Sequence, residues 1–138
     1  MLGFDIPDDT VVVADFEAGI GTLTRLGGTR VDAIVIVAEP TVKSLDVASR
    51  AVALAADLTS GPVIVVANRV TGDADVAAIE AALPGRTVLL VPDDRAIPGA
   101  DRSDRAPLDA APDSPAVQAL SRLADLVSDA PAPADEPG

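Results

Sequence analysis

A chain of 138 residues is the size of one domain, and with 49% hydrophobic residues but only 1% aromatics its core has to be assembled from Val, Ala, Leu and Ile. A formal net charge of −12, from 22 acidic against 10 basic residues, argues against nucleic acid or an anionic membrane as partner, since both need clustered Lys and Arg. With no Cys and no His, disulfides and thiolate or imidazole metal sites are excluded, and any general base has to be a carboxylate, a lysine or an oriented water.

Residues 1–9 hold no basic stretch followed by an apolar one, and no run in the chain reaches transmembrane length, so a cytoplasmic protein is the expectation. Four short apolar runs follow, over residues 10–14, 33–38, 63–67 and 87–91, each rich in Val and lacking polar alternation. Such runs suit strands buried on both faces, and their β-branched residues, flanked by Gly, Pro, Asp and Asn, favour strand over buried helix. Helical spacing fills the gaps. Residues 41–58 place Leu45, Ala48, Val52, Ala55 and Ala56 on one face behind Pro40, and residues 73–83 do the same with Val76, Ile79, Ala82 and Leu83 behind Asp73 as N-cap. Residues 114–128 open on Ser-Pro and carry Val117, Leu120, Leu123, Ala124 and Val127 as a stripe. The stretch 93–112, rich in Asp and Pro, reads as a surface loop with one short helix near Ile97, and 129–138 as a disordered tail of Ala, Pro and acidic residues.

Strands alternating with helices predict an α/β fold, a parallel sheet of about four strands flanked by helices over residues 10–128. In such a sheet ligands bind at the carboxyl ends of the strands. The first run ends there in Asp15-Phe16-Glu17-Ala18-Gly19. A carboxylate at that place would hold Mg²⁺ through water, Gly19 would admit a phosphate to its backbone N–H, and Glu17 would help align an attacking water. The same pattern also fits an Asp that caps the next helix. Asn68, at the end of the third run, offers an amide to a purine edge, or is a turn Asn bonding its own backbone. Lys43, the one lysine, and Arg25 and Arg30 read as surface cations.

The order of several segments extends the reading. Asp15-Phe16-Glu17-Ala18-Gly19 resembles the Asp-x-Glu-Ala-Gly switch II of CooC-type maturation ATPases, of which MinD and ParA relatives carry variants. Val37-Ala38-Glu39-Pro40 followed by Ser44-Leu45 is similar to the family's next strand and loop, and Val65-Val66-Ala67-Asn68-Arg69-Val70 to its Val-x-Asn-Lys/Arg-Val. Val91-Pro92-Asp93-Asp94 resembles the loop after its following strand, which borders the base, and the run from Pro107-Leu108 to Pro112-Asp113-Ser114-Pro115 looks like its closing segment into the last helix. The resemblance, over about residues 10–127, implies a partial P-loop NTPase fold that binds ATP and Mg²⁺. Asp15 would serve the metal, Glu17 and Gly19 the catalytic turn, and Asn68, Arg69, Pro92 and Asp93 the base.

The family's Gly-rich loop with Gly-Lys-Ser/Thr, which cradles and neutralises the phosphates, has no counterpart here; Gly19-Ile20-Gly21-Thr22 and Leu26-Gly27-Gly28-Thr29 lack the Lys. Without the Walker A strand and loop, charge stabilisation of a transferring phosphoryl group is lost. The expectation is a chain inactive alone, paired in a homodimer or with a P-loop-bearing chain, serving an unidentified client protein. The incomplete sheet is expected to expose an apolar edge or face. The competing readings are a degenerate, non-catalytic scaffold and, third, a flavodoxin-like or receiver domain, for which Lys43 is misplaced.

Overall fold

A computed structural model describes residue 7, residues 9–16 and residues 31–130. Its elements alternate, beginning with β1 (Ile34–Ala38), α1 (Val42–Ala55), β2 (Val63–Val70), α2 (Asp73–Ala82) and β3 (Val88–Pro92). Three helices follow: α3 (Ala96–Arg102), α4 (Pro107–Ala110) and α5 (Pro115–Ser128). The strands form one parallel sheet in the order β1-β2-β3. This is the α/β architecture expected, with each later apolar run lying within a residue of its strand except that β2 continues to Val70.

β2 is central and is covered on both faces. Val65 and Ala67 join Ile34, Ile36 and Ala38 of β1 against Leu45, Ala48, Val52 and Ala55 of α1 and Ile79 of α2. Val66 points into a smaller cluster on the opposite face with Val91 of β3 and Ala116 and Ala119 of α5, bordered by Ile97 and Leu123. Ala at the contact positions of α1 and α5 lets each helix approach the sheet closely, which suits a core with almost no aromatic volume.

Local signals account for the helix boundaries. Thr41, in extended conformation, accepts the Ser44 N–H as N-cap of α1, one residue beyond the Pro40 noted in the sequence. Ser114 caps α5 through the Val117 N–H, with Pro115 in the first turn as expected. At α2 the cap differs from expectation. Asp73 is already helical and Gly72 holds the cap position with no side-chain bond. The carboxylate that serves this end is Asp75, which accepts both the N–H and the hydroxyl of Thr71 at 2.7 Å, a third-position acid reaching back over the turn. Those two bonds, the hydroxyl first, hold the Asp75 carboxyl below its ordinary value of 3.8.

Three further corrections concern the ends of the chain and the loop. The expected first strand, over residues 10–14, is not part of the sheet: residues 9–16 have no strand partner, and Val11, Val12 and Val13 are 80%, 63% and 86% exposed. β-branched residues favour the extended backbone, but a strand is stabilised only by a neighbour to pair with and a layer to cover it, and among the described residues this run has neither. β1, read as buried on both faces, is buried on one; Val35 and Val37 face outward at 37% and 62% exposure. The polar stretch 93–112 contains two short helices, α3 and α4, rather than one. The tail expected over 129–138 lies outside the described residues beyond residue 130.

Candidate functional site

The carboxyl ends of the three strands carry the residues that the sequence singles out. β1 runs into Glu39, β2 ends through Asn68, Arg69 and Val70, and β3 ends at Pro92 and is followed by Asp93 and Asp94. Parallel pairing sets these ends side by side. Ala38 lies opposite Ala67, and Val70 opposite Pro92. The register slips between Ala67 and Val70, so Asn68 and Arg69 form an irregularity at the rim. Arg69 takes φ of 60°, left-handed backbone that a residue with a Cβ rarely adopts. Such conformations persist where the surroundings enforce them.

Those surroundings are visible. The Arg69 guanidinium reaches Glu39 through Nη1 and Asp93 through Nε, each at 3.5 Å, so one side chain on the central strand spans to the ends of both neighbours. The Asp93 N–H donates to the Val70 carbonyl at 2.9 Å, prolonging the β2–β3 ladder past the bulge. All three charged side chains are half or more exposed, so the ion pairs orient groups more than they stabilise the fold. Asn68 sits between the buried Ala67 and the exposed Arg69 and is itself half-buried.

The loops behind this rim are tied down by side chains whose role sequence reasoning did not assign. The Ser44 hydroxyl accepts the Glu39 N–H at 3.0 Å and closes the turn from β1 into α1. Asp94 accepts the Ala96 N–H through Oδ1 at 2.9 Å and the Ala116 N–H through Oδ2 at 3.1 Å, fastening the β3 exit to the start of α5. These bonds, Ala96 first, then Ala116, hold its carboxyl below the ordinary 3.8. The signal was in the sequence: an Asp two residues ahead of a helical stretch, and Ser-Pro at a helix start, both ask for N–H acceptors.

Of the residues expected to act, Asn68, Arg69, Pro92 and Asp93 are brought together. Asp15 is exposed, on a segment that pairs with none of the three strands. Glu17 and Gly19 lie outside the described residues, as do Arg25 and Arg30. Lys43 is exposed in the first turn of α1. Among the described residues no three acidic side chains gather as a metal site. Among the described residues the rim carries Glu39, Asp93 and Asp94 beside the Arg69 guanidinium, a set of carboxylates that disfavours a polyphosphate. A hollow of about 500 Å³ lies elsewhere, between Val76, Ile79 and Leu83 on the α2 side and Val88 and Leu90 of β3. It is walled mainly by apolar side chains and shares no residue with the rim.

Comparison with known proteins finds a distant relative. The chain is 28% identical over 117 residues to a protein of Methanocaldococcus jannaschii named as an uncharacterized ATP-binding protein. The match takes in 83% of this chain and 44% of the relative, so the chain spans less than half the length of the relative it matches. No protein-family model matches the chain, and no solved structure matches it significantly. No helix among the described residues is long and apolar enough to cross a membrane.

Proposed function

We propose that this chain is the base-recognising part of a nucleotide-binding domain, of the MinD, ParA and CooC type of ATPase. The observation that carries the reading is the convergence of Asn68, Arg69, Pro92 and Asp93 at one carboxyl edge of a parallel sheet. That is where α/β folds take ligands, and it is where the sequence resemblance puts the purine. The relative's description as ATP-binding points the same way. The Asn68 carboxamide, with one donor and one acceptor side, is matched to a purine edge.

The phosphates of ATP do not fit this rim. The Arg69 guanidinium already faces two carboxylates, and the sequence offers no Gly-Lys-Ser/Thr loop. They belong to donors from outside the described residues, on a second copy or on a chain that carries the phosphate loop. Mg²⁺ finds no three-carboxylate site among the described residues, and Asp15, Glu17 and Gly19 take up their metal and catalytic roles only once that other part is assembled. Alone, the chain binds the base end of the nucleotide and does not hydrolyse it. A client protein would read the assembled state.

A melting experiment with ATP, ATP plus Mg²⁺, and adenosine tests the reading. A ligand that binds only the folded state raises the melting temperature, by several degrees for a small domain at about 100 times its dissociation constant. Adenosine should shift the transition at least as far as ATP, because the rim favours the uncharged ring; no shift with either ligand would refute base recognition. A second reading, a non-catalytic scaffold, is favoured by the uncovered valines of β1. It is supported instead if the chain melts without any response to nucleotide yet holds a partner chain through that strand.

A further inference from the structure

We propose that Arg69 is a positioning residue, whose two ion pairs across the sheet edge fix the direction in which Asn68 presents its carboxamide. The inference rests on reading that edge as the base site. It goes beyond that reading in giving Arg69 a role that needs no contact with the ligand.

Three observations support it together. Arg69 follows Asn68 directly, inside the irregularity between Ala67 and Val70. Its backbone is left-handed, at φ of 60°, so the peptide joining the two residues is turned relative to a regular strand. And the side chain that follows this turn is met by carboxylates from both sides, Glu39 after β1 and Asp93 after β3. A guanidinium is planar and presents donors along two edges, so it can bridge two acceptors at once, as a lysine ammonium on its flexible stem does less well. The bridge therefore sets the rotation of residue 69, and through the shared peptide that of Asn68. Glu39 is held in turn by its N–H bond to Ser44, and Asp93 by its N–H bond to Val70, so both anchors are fixed to the backbone they serve.

Exposed ion pairs contribute little to stability, which makes the role separable from folding. Arg69→Gly is the informative change, because Gly accepts the left-handed backbone and only the bridge is lost. Glu39→Gln with Asp93→Asn removes the anchors and keeps the guanidinium. Arg69→Lys keeps the charge and weakens the bridge. Each full-length variant is compared with the unaltered chain in two measurements: ATP affinity by calorimetry, and the Asn68 side-chain amide resonances in the ligand-free protein by ¹H–¹⁵N NMR.

The expected result for Arg69→Gly and for the double variant is a melting temperature close to that of the unaltered chain, ATP binding weaker by about fivefold, and Asn68 amide resonances shifted toward those of a free carboxamide. Arg69→Lys should fall between. Unchanged Asn68 resonances in Arg69→Gly overturn the proposal, whether or not ATP binding falls, since weaker binding alone would mean that Arg69 touches the nucleotide itself. If the unaltered chain binds no ATP, the base-site reading fails by itself. The positioning of Asn68 by Arg69 is then still decided by the resonances: a shift sustains it and no shift ends it.

Discussion

Asp94 and Asn68 sit within one small region and act on different quantities. Asp94 accepts two backbone N–H groups that nothing else satisfies, one at the start of α3 and one at the start of α5. Its carboxyl is held below the ordinary 3.8 in the folded protein, so the folded state prefers the ionised form. The stability this provides is present above 3.8, the unfolded value, and is lost as pH falls through the lower folded value. Chemical denaturation between pH 6 and pH 2 should therefore show a steeper acid loss in the unaltered chain than in Asp94→Asn, which starts less stable and has less to lose. Asn68 makes no comparable contribution to the fold. Asn68→Ala should leave melting unchanged and weaken ATP binding about tenfold, since it removes paired hydrogen bonds from a half-buried site; calorimetry at equal salt measures it. A loss of folding in this variant would mean that Asn68 is a turn residue after all.

At the scale of the elements, the connection from α1 into β2 shows how tightly short segments are fitted. The Thr59 hydroxyl donates to the Val31 carbonyl at 2.6 Å and accepts the Gly61 N–H at 2.9 Å, while the Ile34 N–H donates to the Pro62 carbonyl. A Cβ on Gly61 would stand 1.8 Å from the Asp32 carbonyl oxygen. Gly61→Ala must push the β1 and β2 entrances apart, and overcrowding of this kind costs about 1–3 kcal/mol. A fall of several degrees in the melting temperature checks this, and an unchanged transition would show that the two segments move apart freely. In the sequence Ser60-Gly61-Pro62 reads as a helix stop, but this contact is not legible there, because Asp32 and Gly61 are neighbours only once β1 and β2 pair. The Glu39–Arg69–Asp93 bridge escaped sequence reasoning for the same reason. Each of its residues ends a different strand, and only the order of strands in the sheet puts the arginine in the middle. From β1 to α5 the elements other than α4 were legible because apolar runs and helical spacing agree locally. The run at residues 10–14 failed by the same logic, since its composition is strand-like but it pairs with no strand among the described residues.

At the scale of the whole molecule, the three-stranded sheet has open edges among the described residues. β1 has no strand on its outer edge among the described residues, carries no charge, proline or bulge to discourage pairing, and turns Val35 and Val37 outward. Sedimentation at rising concentration should show the chain self-associating, and Val37→Lys, on an exposed position that tolerates the charge, should reduce that association without lowering the melting temperature; equal association in both would clear this edge. What the described residues do supply is a rim of Asn68, Arg69, Pro92 and Asp93, the proposed nucleobase site. Titrating ATP into the ¹⁵N-labelled chain and following its ¹H–¹⁵N resonances tests that rim directly. Shifts concentrated at the Asn68 carboxamide and the Arg69 and Asp93 amides are the predicted result. No shifts, or shifts confined to the hollow lined by Val76, Ile79 and Leu90, would contradict it.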